Sequence, residues 1–370
     1  MASTFKTLKQ NDSVSTKTLL HEAIPLTGTI VSGTYSDDNI KNYGHGMFQS
    51  LYDYPYLSSS ANHIFDITSG YSSQSPLSGA SSTQNAKKIN IYNQMAQVLV
   101  GYDKVGNIKR FDADGDFVGT TTDKMNECVF INFSRLLVKD EIKKGSFELK
   151  LASGAEHSGS GIPSSELIAI TDYSASTSNG GYFVNSPVGE YGVLSVTASM
   201  RTTDQKDVLK FHNYHSVGLI YYQAGIVVLS ASLFNDAALG GVLSNDNGHM
   251  ELDTNAEWFS SLATGSTITT MANGFRNRIY NIQFNNTVEL NSTIYFCRAN
   301  HNEFNYSSNP TYLSGSSIRV KPESQYDPVS YITTIGLYSA DNQLLAVGKL
   351  SEPLRKDPTI ELTLRTRLDY

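Results

Sequence analysis

From Val193 onward the chain breaks again and again into short apolar runs separated by turn residues, and that rhythm restricts what it can become. Val193-Leu194-Ser195-Val196 is one such run. Val217–Tyr222 and Ile226–Leu229 flank Gln223-Ala224-Gly225, a three-residue hairpin signal with its Gly in place. Ile279–Phe284 and Thr287–Leu290 flank the turn dipeptide Asn285-Asn286, and Ile332–Tyr338 and Leu344–Val347 flank Ser339-Ala340-Asp341-Asn342. Near the end, Ile360, Leu362 and Leu364 alternate with Glu361, Thr363 and Arg365, so one face of that strand is apolar and the other polar. Many short strands joined by Gly, Asn and Pro turns argue a β-sandwich or jelly-roll-like module over 193-370. Two helical pieces interrupt it: Asn255–Leu262 with the single Trp258, and Thr267–Asn277 with Ser266 placed as N-cap.

The first half is mixed. Residues 1-20 are polar with scattered Lys and Thr, and read as an arm that orders only against a partner. Leu19–Ile30 is apolar but interrupted by Pro25 and Gly28, which favours a strand pair over a helix. Met47, Phe48, Leu51 and Tyr52 sit on one face of a short helix by their spacing. Residues 57-84 form a Ser-rich loop around the apolar island His63–Ile67. Ile89, Tyr92, Ala96 and Leu99 repeat at three and four residues, which predicts a helix with Lys88, Asn93 and Gln97 on its polar face and Gly101 as its stop. Met125–Lys144 is apolar in bursts and open to either helix or strand, and a strand follows at Ser146–Leu151. The fold class expected is mainly β with a few short helices, an α+β N-terminal part over 21-152, a Ser/Gly-rich loop or linker at 153-192, and the β-rich module after it.

With 370 residues the chain is long enough for a substantial core. Its 39% apolar and 17% charged content leaves much of the sequence to Ser, Thr, Asn and Gly, while 22 Tyr and 16 Phe argue against disorder. The net charge of −7 and the lack of any basic run speak against nucleic acid. Arg355-Lys356 and Lys143-Lys144 read as solvated element ends. No apolar run of about 18 residues is present, so no membrane insertion is expected. The N-terminus lacks the apolar region of a secretory signal, which places folding in a cytoplasm and Cys128 and Cys297 as free thiols.

Chemistry-bearing motifs are sparse. Asp112, Asp114 and Asp116 in Asp-x-Asp-Gly-Asp resemble a calcium loop, where alternate carboxylates converge on a hard cation. The pattern departs from that loop: Gly115 is at the fourth position, Phe117 at the sixth and Asp123, not Glu, at the twelfth, so a solvated hairpin turn is the preferred reading. His212 and His215 lie three apart, but no further metal ligands are identifiable. No nucleophile elbow, metalloprotease motif or phosphate loop occurs, so no catalytic residue is named and no cofactor is expected. Asn132, Asn285, Asn291 and Asn305 head Asn-x-Ser/Thr triplets, as chance allows in such a composition.

Aromatics mark the candidate contact residues. Tyr43, Phe48, Tyr52, Tyr54 and Tyr56 crowd one stretch; Phe304, Tyr306 and Tyr312 crowd another, within the Asn-rich run Tyr295–Tyr312. Tyr is favoured where one end is buried and the other wet, as at subunit interfaces. That second run, with Tyr331–Leu350 and the ending Leu362–Tyr370, resembles structural proteins of tailed bacteriophage particles, closest to virion proteins of contractile-tailed marine phages. The resemblance extends through His21–Thr29, Asn42–Ser59, Lys87–Tyr102 and Val217–Leu229. Ile335–Gly348 is also similar to I-G-L-Y-x-x-x-x-x-L-x-A-V-G segments of tail-fibre attachment and baseplate proteins. It implies a non-enzymatic virion subunit, assembled in the host cytoplasm into tail or baseplate, in a symmetric homo- or hetero-oligomer with other virion structural proteins. A head, neck or capsid-surface protein is the first alternative, and a receptor- or glycan-binding tail module the second.

Overall fold

The computed structural model describes residues 5–25, 37–79, 82–113, 115, 124–152, 167–176, 181–197, 210–211, 214–234, 267–307, 313–314, 317–318 and 328–370. The expected helix around Trp258, the N-cap Ser266, Asp114, Asp116, His212 and Tyr312 lie outside them. The fold is mainly β, with a large antiparallel sheet and few helices. Contacts divide the chain into two compact units. Unit 1 joins Met1–Leu19 to Glu289–Tyr370, and unit 2 is Leu20–Val288. The strands Ser13–Pro25 and Ile279–Ala299 contribute residues to both.

Unit 2 is built on a sheet. From the first part of Ile279–Ala299, its strands follow in the order Glu148–Ala152, Leu167–Thr171, Gly189–Thr197, Tyr214–Tyr221, Ile226–Ser230, Glu127–Phe133, His63–Tyr71, Gln49–Tyr52 and Ile40–Asn42. Neighbours pair antiparallel throughout this path. Leu167–Thr171, inside the segment expected as a linker, is therefore an inner strand. Its central strands bury both faces. Leu194, Ile220, Val227, Leu229, Val129 and Ile131 enter one core, while Val193, Leu219, Tyr221, Val228 and Phe130 enter the other. This is why those strands read as continuous apolar runs rather than clean alternation. Phe133 packs on Phe284 with ring centroids 5.1 Å apart, although their strands are far apart in pairing order, so the sheet of unit 2 curls over the first core.

Helix α1 (Thr83–Leu99) covers the second core. Ser82 caps it, accepting from the Asn85 N–H at 3.2 Å, and Gly101 ends it with φ +87 and an N–H donated to the Ala96 carbonyl. Gly70 lets α1 approach the sheet closely, since a Cβ there would stand 2.4 Å from the Lys88 carbonyl oxygen. Lys88 departs from the expected polar face: it is fully buried beside Tyr92 and Asn85, and desolvation pulls its pKa down to about 8. A short helix α2 (Arg135–Val138) follows Glu127–Phe133, and α3 (Ile268–Arg276), capped by Thr267, places Met271, Ala272 and Phe275 in the first core.

Three local expectations give way to tertiary pairing. The short helix at 47–52 is instead the strand Gln49–Tyr52, paired on both sides and burying Leu51. Four matching positions are too few to separate a helix face from a strand. Asn285-Asn286 is no turn. The strand Ile279–Ala299 runs straight through it, with Asn286 opposite Ile142 and its Nδ2 donating to the Leu137 carbonyl at 2.9 Å. The polar N-terminal arm contains a 3-10 turn at Gln10–Asp12 and then the strand Ser13–Pro25, which lies beside Ile279–Ala299. Within unit 1, Ser15 and Thr293 hydroxyls meet at 3.0 Å and Thr16 donates to the Ser292 carbonyl.

The hairpin expected around Ser339–Asn342 does form, and the expected final strand is present. Ser330–Tyr338 pairs with Leu344–Lys356, with Asn342 at φ +61 in the turn, and Leu362–Asp369 pairs with the end of Ile279–Ala299.

Candidate interaction surfaces

Unit 1 inverts the usual distribution of side chains. Among the described residues, Ala299 alone of the buried apolar residues belongs to it, whereas more than half of the exposed large apolar residues do. Leu344-Leu345 puts apolar groups on both faces of its strand, and with Val347 and Tyr331 these side chains face outward; Leu345 is 69% exposed and Val347 55%. Leu362, Leu364 and Leu368 are half-buried along one face of the last strand, and Arg365 and Arg367 stand exposed on the other. What unit 1 does bury is polar: Asp12, Ser292, Thr293, Asn305, Ser330, Lys356 and Asp357.

Lys356 organises the aromatic loop after Ala299. It is fully buried, contrary to the solvated strand end expected for Arg355-Lys356. Its Nζ donates to the His301 carbonyl at 3.2 Å, Asn305 Oδ1 at 2.6 Å and the Asp357 carbonyl at 2.9 Å. Three donors thus meet three acceptors, the condition for burying an ammonium. Asn305 Nδ2 returns to the His301 carbonyl at 2.8 Å, Glu303 Oε2 accepts from the Asn300 N–H at 3.1 Å, and Ser330 donates to the Phe304 carbonyl. Phe304 is held at φ +58, a left-handed conformation that bulky residues rarely adopt. Phe304 and Tyr306 are consequently presented rather than packed away, at 49% and 61% exposure. Sequence reading found these rings but not the lysine behind them.

The other aromatic group lies in unit 2. Tyr43 stacks on His45 at 5.1 Å and tilts against Phe48 at 4.8 Å, while Tyr52 meets Tyr56 at 6.4 Å and His63 edge-on at 5.6 Å. Tyr43, Phe48 and Tyr52 are half-buried; Tyr54 and Tyr56 are exposed. The sequence candidates therefore fall in two places, Tyr43, Phe48, Tyr52, Tyr54 and Tyr56 together in unit 2, Phe304 and Tyr306 together in unit 1.

Two carboxylates are engaged internally. Asp112 is buried and paired with Lys124, so this first member of the calcium candidate already has a cationic partner. No group of three metal-ligating side chains occurs among the described residues. Asp172 is buried and accepts from the Gly145 N–H at 2.6 Å, the Phe147 N–H at 3.0 Å and the Tyr222 hydroxyl at 3.1 Å. Desolvation outweighs these donors and pushes its pKa up to about 6. It ties the Lys143–Phe147 turn to the hairpin end at Tyr222, a structural knot within unit 2. Cys128 is buried, Cys297 half-buried, and both are free. Among the described residues no helix is long and apolar enough to cross a membrane.

Comparison with protein-family models, with curated proteins and with solved structures gives no match to this chain.

Proposed function

We propose that the chain is a non-enzymatic structural subunit of a tailed-phage virion, which assembles into the tail or baseplate through protein–protein contacts. The resemblance of its aromatic and C-terminal stretches supplies the particle. The observation that carries an assembly role is the side-chain inversion of unit 1. A two-stranded ribbon is marginal alone in water, and ordering each residue costs about 1–2 kcal/mol of backbone entropy. Strands that show Leu344, Leu345 and Val347 to solvent acquire their missing burial, about 1.5–3 kcal/mol per fully covered side chain, from a neighbour. Covered in this way, the hairpin and the last strand become one layer of a sandwich-like docking module. Phe304 and Tyr306, pre-set by Lys356, are suited as anchors because little freedom is left for them to lose on contact.

Cryo-electron microscopy of the intact particle tests this. Density for the chain in tail or baseplate, with Leu344–Val347 and Phe304–Tyr306 against neighbouring subunits, is the expected result. A particle without this chain, or one in which those residues face solvent, overturns the proposal.

A further inference from the structure

A second surface in unit 2 has a different chemistry. Backbone register places Lys41, Ser50, Asp66 and Asn132 side by side across four strands, on one face of the sheet. Ser50 Oγ lies 3.3 Å from the Tyr43 hydroxyl. Ser50 Oγ also donates to Asp66 Oδ1, and His63 Nε2 reaches the same oxygen at 2.8 Å. Both donors converge on Oδ1, which leaves Oδ2 without a donor among the described residues. The carboxylate is 21% exposed and the imidazole 32%, so the group is held rigidly yet reachable. The Tyr52 ring meets His63 edge-on at 5.6 Å, Tyr56 lies next to Tyr52 at 6.4 Å, and Lys41 Nζ stands 4.9 Å over the Tyr43 ring.

Neither sign of charge dominates here. A bare cation meets Lys41 and His63, and an anion meets Asp66. Sugar hydroxyls both donate and accept, so they match a carboxylate oxygen, phenols, an imidazole and an ammonium set within one patch. The C–H face of a pyranose ring suits a flanking aromatic ring, and half-buried polar groups fixed by one another present little reorganisation cost. We propose that this face of unit 2 binds a neutral saccharide, with Asp66 Oδ2 accepting from sugar hydroxyls and Tyr52 and Tyr56 packing against the ring. The site does not depend on the assembly role of unit 1.

The test is saturation-transfer NMR of the full chain with glucose, galactose, mannose and N-acetylglucosamine, followed by titration of any sugar that responds. The expected result is a millimolar-range Kd for at least one sugar, weakened tenfold or more in Asp66→Asn and in Tyr56→Ala, with the thermal midpoint of each variant checked first. Tyr56 is an exposed ring, so its variant folds even if Asp66→Asn does not. No transfer to any of the four sugars, or transfer that is undiminished in Tyr56→Ala and in a folded Asp66→Asn, overturns the proposal.

Discussion

In unit 2, Phe133 is enclosed by Phe65, Phe147 and Phe284, whereas in unit 1 Leu345 and Val347 face solvent and a lysine occupies the buried position. Both regions are antiparallel β structure, so the type of secondary structure does not distinguish them. The difference lies in where each has its energy. Unit 2 draws on apolar burial on two faces of one sheet. Unit 1 is held by paired backbones and by specific polar contacts, and its large apolar side chains stand exposed. On the assembly role proposed above, stability and assembly fall to different residues, and substitutions should separate them.

The largest effect should come from Phe133→Ala. Truncating a buried Phe among three other rings costs about 3–5 kcal/mol, which denaturant unfolding of the isolated chain measures. If this variant unfolds at the wild-type midpoint, the contrast between the units fails at its stronger end.

Asp172 gives the next effect, and its sign is opposite to the usual carboxylate. Its folded pKa of about 6 lies above the unfolded value, so the folded state binds the extra proton. Its contribution is most favourable below about pH 4 and is lost as pH rises through 6, by roughly 3 kcal/mol at most for such a shift. The wild type minus Asp172→Asn difference in unfolding free energy should therefore fall between pH 4 and 6.5. A flat difference would show that the three donors fully offset the effect of burial.

Lys356→Met should cost about 1–3 kcal/mol locally, because the His301, Asn305 and Asp357 oxygens lose their shared donor. Hydrogen exchange should speed up over residues 300–307 while the global unfolding midpoint of unit 2 holds. Equal loss of protection in the Phe133 region would mean that the two units do not respond separately. The smallest effect on the isolated chain should be Val347→Ser, within about 0.5 kcal/mol, since the side chain is already wet. The same change should lower incorporation into particles severalfold, measured by copy number per virion. Normal incorporation would remove Val347 from the docking surface.

Much of the fold was legible where local and tertiary signals agree. The helix over Thr83–Leu99, the Gly225 hairpin and the final alternating strand follow from spacing alone. Where a single position had to choose between a local preference and a distant partner, sequence misled. Asn285-Asn286 reads as a turn until Ile142 pairs across it, and Lys88 reads as solvent-facing until Gly70 draws its helix turn onto the sheet. The candidate contact residues were found by aromatic density, which survives folding. The Ser50–Asp66–His63 contact was not, because its members come from two strands and are neutral in any one-dimensional pattern. Leu344-Leu345 did carry a readable signal: adjacent apolar residues in a strand give it two apolar faces.

The pairing of the N-terminal strand has a consequence in time. Ser15 meets Thr293, 278 positions later in the chain. At a synthesis rate of about 5–20 residues per second, roughly 15–60 s separate the emergence of the two. Unit 2 has its whole sequence, Leu20–Val288, in hand before that interval ends, so the ribosome delivers the stable unit first. On the assembly role proposed above, the surface of unit 1 is completed last, and nascent chains crowded on one message are kept from meeting through it until the sequence of unit 2 is finished.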